Sequence, residues 1–184
     1  PTTSTNDGAR ARLRAAEHVL LRKASPRPGL RRAAGIVGDV AHRGVLWWAI
    51  AAALSAAGGR WRAAAAHGCA GWLVAEAGSG VVKRAVGRRR PSLEGAGGDT
   101  SSSSFPSAHT AGAVGFAVAA GRVVPAVAAG AGPLAAVVGW SRIGARRHFV
   151  SDVVVGALVG ASLGRVVEPL RSAAGLPMGK RARG

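Results

Sequence analysis

The chain has 184 residues, a length that one domain accounts for, and 48% of them are hydrophobic. Its 25 Lys and Arg against 8 Asp and Glu give a formal net charge of +17, which in a soluble protein would indicate a nucleic-acid partner. The basic residues lie between apolar blocks, however. With no Tyr and only three Phe, they are not interleaved with stacking aromatics as is usual in nucleic-acid binding, so composition favours basic loops at a membrane.

The amino-terminal region precedes the first long apolar block. Residues 1 to 8 are small and polar, which is typical of a disordered tail, and they lack the pattern of a signal peptide. The sequence predicts an interfacial region at residues 9 to 43. Its first part, from Ala9 to Ala24, has the pattern of a basic amphipathic helix that lies on a membrane. The apolar face of that helix would carry Leu13, Ala16, Val19, Leu20 and Lys23. The sequence "SPRPG" at 25 to 29 ends the helix.

Five apolar segments follow, at residues 44–59, 63–82, 109–121, 123–140 and 153–167. Several are shorter than the roughly 20 residues of a full membrane span, and all are rich in Ala and Gly, which permits close helix packing. We interpret residues 44–167 as an all-α integral membrane bundle of about five transmembrane helices, followed by a basic tail at 168–184. A soluble all-helical domain is the alternative. The single cysteine, Cys69, excludes an intrachain disulfide and a multi-cysteine metal site.

The connections between these segments are unequal. Two are very short, whereas residues 83–108 and 141–152 form longer polar loops. Alternation of five helices places both long loops on one side, together with the amino-terminal region. That side carries 17 of the 25 Lys and Arg, so the positive-inside rule predicts a cytoplasmic face of the inner (plasma) membrane.

The first long loop begins with the sequence "VVKRAVGRRRPS". Lys83 and Arg90 are seven residues apart, so both would face one point if a helix continued through them. A basic cluster at a membrane boundary is also typical of lipid-headgroup contacts, and that interpretation is preferred for Arg84, Arg88 and Arg89.

The second motif lies in "SSSSFPSAHT", residues 101 to 110. Ser107 and His109 stand at the start of an apolar helix, where unpaired N–H groups and the positive end of the dipole favour an anion. His109 adds a group that donates a proton near neutral pH. An N-cap serine followed by an incidental histidine is the alternative, and the serines at 101 to 104 are expected to form a mobile approach.

The third motif is "SRIGARRHFVSD", residues 141 to 152. Arg142 precedes His148, and Asp152 follows that histidine by four residues, which would place carboxylate and imidazole side by side on a helix. A carboxylate that holds one ring N–H leaves the other nitrogen free to attack. Asp152 as an N-cap, with help from Ser151, is the alternative.

Together these motifs resemble the type 2 phosphatidic acid phosphatase superfamily, whose fold is shared with vanadium-dependent haloperoxidases. The family carries Lys-x6-Arg-Pro, Pro-Ser-Gly-His and Ser-Arg-x5-His-x3-Asp, which correspond here to Lys83–Pro91, Pro106–His109 and Ser141–Asp152. Ala108 stands where the family has Gly, but alanine keeps the backbone N–H that the family uses on phosphate. The larger membrane members commonly have six helices, against five and an amphipathic one here.

The resemblance implies a metal-independent phosphatase that needs no cofactor and acts through a phosphohistidine. By family role, His148 attacks phosphorus, Asp152 orients it and His109 protonates the leaving oxygen. The phosphoryl oxygens would be held by Lys83, Arg90, Ser107, Arg142 and the amide of Ala108. The expected partners are membrane lipids and a lipid phosphate or diphosphate substrate, with no nucleic acid and no oligomeric state implied. A haloperoxidase-like vanadate enzyme and a non-catalytic basic membrane protein are the alternatives.

Overall fold

The computed structural model describes residues 3–25, 27–41, 44–91 and 103–173. Within these ranges the chain forms helices joined by turns and loops, and no strand is present. The helices are α1 (Thr3–Ala24), α2 (Pro28–Val40), α3 (Val45–Ala56), α4 (Gly59–Val86), α5 (Ala108–Val123), α6 (Pro125–Gly144) and α7 (Val150–Ala173). The predicted all-α fold is therefore confirmed.

Each of the five predicted apolar segments corresponds to one of the helices α3 to α7. By length and apolar composition, two helices of the described residues are suited to crossing a membrane, Pro125–Gly144 and Val150–Val167, and Val45–Ala56 is apolar but shorter. Helix α4 has ample length at 28 residues, but its Gly, Ala and charged residues lower its hydropathy. Helix α5 has only 16 residues.

Very short connections force neighbouring helices to run antiparallel. Ala57 and Gly58 alone join α3 to α4, and Gly58 (φ +73°) adopts a left-handed conformation that costs glycine no Cβ clash. Val124 alone joins α5 to α6, and it is extended because Pro125 follows it.

Small residues set the register around α5, which packs against α4, α6 and α7. Gly71 lies against the backbone of Gly115 in the antiparallel α4–α5 pair. In the parallel α5–α7 pair, Gly160 lies against the carbonyl of Ala111. These directions bring the ends of α4 and α6 together with the beginnings of α5 and α7.

Helices α1 and α2 pack at this same end of the bundle. Leu21 of α1 is buried in a cluster with Ile143 and Phe149. The predicted apolar face instead points outward, since Leu13 and Leu20 are 68% and 49% exposed. Helix α1 begins at Thr3, inside the segment for which the sequence favours disorder, and α2 is a helix that the sequence analysis did not predict. Residues 174–184 of the expected basic tail lie outside the described residues.

Candidate active site

The three motifs meet where α4 and α6 end and α5 and α7 begin. The N–H of Ser107 donates to the main-chain carbonyl oxygen of Asp152 at 2.9 Å, which joins the second motif to the third. The Arg90 guanidinium donates to the carbonyl oxygen of Arg147 at 3.3 Å, which joins the first motif to the third. The fold therefore assembles one polar site from segments that are distant in the sequence.

His148 is the best-defined group of this site. Its side chain is 2% exposed, and its Nδ1 lies 2.7 Å from the main-chain carbonyl oxygen of Ser104. A carbonyl oxygen only accepts, so Nδ1 carries the proton and Nε2 keeps its lone pair. The neutral ring therefore has its free lone pair on Nε2.

The electrostatic surroundings favour this neutral form. Burial lowers the pKa of His148 below its ordinary value, because desolvation penalises the imidazolium. The positive charge of Arg90 acts in the same direction, whereas the carboxylate of Asp152 and the Ser104 carbonyl favour the protonated ring. The lowering effects prevail, so the pKa of His148 lies below its ordinary value and the neutral ring is favoured.

Asp152 lies beside His148 but does not take the ring proton in a close hydrogen bond. Its Oδ2 is 3.7 Å from His148 Nδ1, which is ion-pair distance and longer than a hydrogen bond. That oxygen accepts the Phe149 N–H at 2.8 Å, one half of a capping box at the start of α7. His148 precedes α7 rather than lying on it; the carboxylate and the ring lie side by side as expected, but the hydrogen-bond acceptor of Nδ1 is the Ser104 carbonyl.

The serines before the second motif are ordered, contrary to the expected mobile approach, at least for the two that the structure describes. The N–H of Ser104 donates to the Arg88 carbonyl oxygen at 2.8 Å, and its hydroxyl donates to the Arg89 carbonyl oxygen at 3.1 Å. The N–H of Arg88 donates to the Ser103 hydroxyl at 2.9 Å. These bonds hold the Ser104 carbonyl against His148. Ser101 and Ser102 lie outside the described residues.

Arg88, interpreted from the sequence as a headgroup contact, instead reaches into the site. Its guanidinium donates to Asp152 Oδ1 at 2.8 Å and to the Ser151 hydroxyl at 2.8 Å. Nothing in the sequence "KRAVGRRRP" distinguishes it from Arg84 or Arg89, because all three have the same side chain.

Lys83 and Arg90, the two cations of the first motif, are placed differently from the sequence prediction. Helix α4 ends at Val86, and Gly87 follows in a left-handed conformation with φ +60°, so Lys83 and Arg90 do not share one helical face. The chain instead turns back after the helix. The charge of Arg90 nevertheless acts on Lys83, on Arg142 and on His148, so Arg90 lies within electrostatic reach of each of these three groups.

Arg142 is buried near the end of α6, where its Nε donates to the Ser141 hydroxyl at 3.3 Å. Its guanidinium lies directly against Gly38 of α2, at a point that a Cβ would occupy. Helix α2 therefore packs directly against the Arg142 side chain.

The second motif begins α5 as predicted. Ser107 is the N-cap residue and is fully buried, and its Oγ accepts from the Thr110 hydroxyl at 2.9 Å. Ala108 is the first residue of the helix, and Arg146 is the only non-glycine residue with positive φ in the described chain, so alanine fits this position without backbone strain. His109 follows on the first turn and is partly buried. Across the described ranges, no three His, Cys, Asp or Glu side chains group as metal ligands.

Comparison with known proteins identifies the family of this chain. The family model of the PAP2 superfamily matches residues 64–174, more than half of the chain. The chain belongs to the PAP2 superfamily. The match begins within α4 and ends just beyond α7, so it includes every predicted site residue of this PAP2 protein.

A solved structure shares the fold. The crystal structure of the first transmembrane PAP2-type phosphatidylglycerolphosphate phosphatase, from Bacillus subtilis, has a TM-score of 0.67 and 23% sequence identity. The similarity covers 93% of this PAP2 protein and 89% of that chain. No curated protein sequence matches this one.

Proposed function

We propose that this PAP2 protein is a membrane-embedded phosphatase that hydrolyses a lipid phosphate or diphosphate through a phosphohistidine, without a metal ion. The observation that carries the proposal is the state of His148. Its Nδ1 proton is held by a main-chain carbonyl, which leaves the lone pair of Nε2 available for attack, and the positive charge of Arg90 acts on the ring. Phosphoryl transfer depends chiefly on such positioning and on charge stabilisation.

In the first step, the lone pair of Nε2 attacks phosphorus and the bond from phosphorus to the leaving oxygen breaks. Lys83, Arg90 and Arg142 stabilise the negative charge of the equatorial oxygens, and the start of α5 adds Ser107 and the amide of Ala108. His109 gives its proton to the leaving oxygen, so the lipid departs as an alcohol or as a monophosphate.

In the second step, water attacks the phosphorus atom of phospho-His148. His109, now neutral, takes a proton from that water, and the N–P bond breaks to release phosphate and restore the Nε2 lone pair. Asp152 supports the positive charge that develops on the ring in both steps, since its carboxylate lies 3.7 Å from Nδ1.

A lipid substrate suits a site at the end of an apolar helical bundle. Phosphatidic acid, phosphatidylglycerophosphate, polyprenyl phosphates or diphosphates and polyprenyl-phosphoryl-sugar phosphates all offer the required phosphate on an apolar anchor. The fold shared with a phosphatidylglycerolphosphate phosphatase makes that phosphomonoester the first substrate to test.

We further propose that α3 to α7 cross the plasma membrane and that the site faces the cytoplasm. The packing of α1 and α2 beside Phe149 and Arg142 supports this orientation, because it puts the basic amino-terminal region at the site end. The outward apolar residues of α1 would then lie in the membrane interface.

The test is phosphate release from each candidate lipid by the detergent-solubilised full chain in excess chelator. The wild-type protein is expected to release phosphate without added metal, and His148→Ala is expected to release none. Equal release by both proteins would contradict the proposed nucleophile, and a requirement for Mg²⁺ would contradict the mechanism. No release from any lipid, with bromide oxidation after addition of vanadate and peroxide, would indicate the haloperoxidase alternative instead.

A further inference from the structure

Arg88 contacts both of the residues that lie next to Nδ1 of His148, Ser104 and Asp152. Its carbonyl oxygen accepts the N–H of Ser104 at 2.8 Å, and the carbonyl of that serine holds the ring proton of His148. Its guanidinium donates to Asp152 Oδ1 at 2.8 Å, while the other oxygen of that carboxylate faces the ring. Both neighbours of His148 Nδ1 are thus held by one residue, once through its backbone and once through its side chain.

The side-chain contact matters because Asp152 is fully buried. A buried carboxylate requires a cation or several hydrogen bonds, and Arg88 supplies the cation of this pair. Without that cation, Asp152 would be left with the Phe149 N–H and would rotate toward the nearest donor, which is His148 Nδ1. The ring proton would then be shared between two acceptors, and the direction of Nε2 would change.

Arg88 is itself held from a third helix. Its guanidinium lies over the Phe149 ring at 4.3 Å from the centroid, and His18 of α1 makes a T-shaped contact with the same ring at 5.4 Å between centroids. Glu17 of α1 lies 3.6 Å from the second guanidinium nitrogen. Helix α1 therefore restrains Arg88, the cation that is paired with Asp152. This helix lies outside the residues that the PAP2 family model matches.

We propose that Arg88 is a positioning residue that fixes the Asp152 carboxylate, and through it the His148 ring, with Glu17 of α1 holding its far side. The inference rests on the proposed function of His148. Arg88 acts on the ring through Asp152, to which its guanidinium donates.

The experiment measures kcat, KM and the pH dependence of kcat/KM for phosphate release by the full chain in detergent. Arg88→Gln is expected to lower kcat by roughly 10- to 100-fold with little change in KM, since it loosens orientation rather than binding. It is also expected to move the acid limb to higher pH, because an unpaired carboxylate favours protonated His148. The groups facing His148 in this pH argument are Asp152, Arg90 and the Ser104 carbonyl. The matched control is Arg84→Gln, an exposed arginine of the same basic segment, which is expected to behave as wild type.

The discriminating measurement repeats Arg88→Gln in an Asp152→Asn background. If Arg88 acts through Asp152, the second substitution lowers kcat by less than about twofold there, because coupled residues are not additive. An equal loss in both backgrounds, or an unshifted acid limb, overturns the proposal.

Arg88→Lys decides the question if Arg88→Gln fails to fold. Lysine keeps the charge but lacks the planar fork that serves Ser151, Asp152 and Glu17 together, so kcat is expected to fall several-fold, and only when Asp152 is present. Wild-type kcat for Arg88→Lys overturns the proposed geometry. If His148→Ala is as active as wild type, the proposed function fails and the inference about Arg88 fails with it, whereas an inactive His148→Ala together with wild-type kcat for Arg88→Gln overturns the inference alone.

Discussion

The Ser104 carbonyl oxygen lies 2.7 Å from Nδ1 of His148, and Ser104 is itself bonded to the backbone of Arg88 and Arg89. The loop between α4 and α5 thereby determines which nitrogen of the proposed nucleophile keeps its lone pair. A main-chain partner holds this tautomer at any pH at which the ring is neutral, whereas a carboxylate partner would also attract a second proton.

The acid limb of the pH profile reports the protonation of His148 in the free enzyme. Because burial lowers the pKa of His148, activity is expected to persist as the pH falls below the ordinary histidine range, and to be lost only when the ring gains its second proton. Asp152 favours that proton, so Asp152→Asn should lower the pKa further and move the acid limb to lower pH. It should also lower kcat. The measurement is kcat/KM against pH, and an acid limb displaced to higher pH in Asp152→Asn would contradict the assigned electrostatics.

His109 is expected to act as the acid for the leaving oxygen. His109→Ala should lower kcat for a lipid phosphate by roughly 10²- to 10⁴-fold, since an alkoxide leaves poorly without a proton. The loss should be much smaller for p-nitrophenyl phosphate, whose leaving group needs no proton. The control is His67→Gln, since the His67 ring contacts the Ala63 carbonyl within α4. Equal losses on the two substrates would exclude leaving-group protonation by His109.

Gly156 is expected to be required for the position of the first turn of α5, the proposed phosphate-binding end of that helix. A Cβ at residue 156 would come 2.5 Å from the Ser107 carbonyl oxygen, so Gly156→Ala must separate α5 from α7. We expect a loss of roughly 1–3 kcal/mol in stability, with reduced activity, measured as thermal unfolding and phosphate release in detergent. The matched control is Gly132→Ala in α6, where a Cβ meets nothing within 4 Å and alanine favours the helix by about 0.5–1 kcal/mol. Similar unfolding midpoints for the two variants would show that the close approach is not restrictive.

The proposed orientation predicts which end of the bundle is accessible from outside the cell. In a Cys69→Ala background, single cysteines at exposed Arg62 and Arg84 report the two ends of α4. A membrane-impermeant thiol reagent should label residue 62 in intact cells, and residue 84 only after permeabilisation. Labelling of residue 84 alone in intact cells would place the site on the outer face.

Much of the fold and several site residues were predictable from local sequence. Apolar runs separated by Gly, Pro and Arg predict the helices α3 to α7, because burial periodicity and helix breakers act over a few residues. Helix α2 was missed, since its many small and basic residues give it no clear apolar run. The spacing of motifs around Lys83, His109 and His148 indicated the PAP2 family, which the family match confirms. The roles of those residues remain predictions.

The amino-acid sequence by itself determined which residue types are present at the site and the order in which helices deliver them. Only the tertiary structure decided how they meet. The end of α4 at Val86 and the left-handed Gly87 turn the following chain back, so that Arg88 rather than Arg84 or Arg89 faces Asp152. The partner of His148 Nδ1 is a main-chain carbonyl, and every residue carries one. Such a contact has no signature in the sequence, because it depends on where the folded backbone passes and not on which side chain it bears.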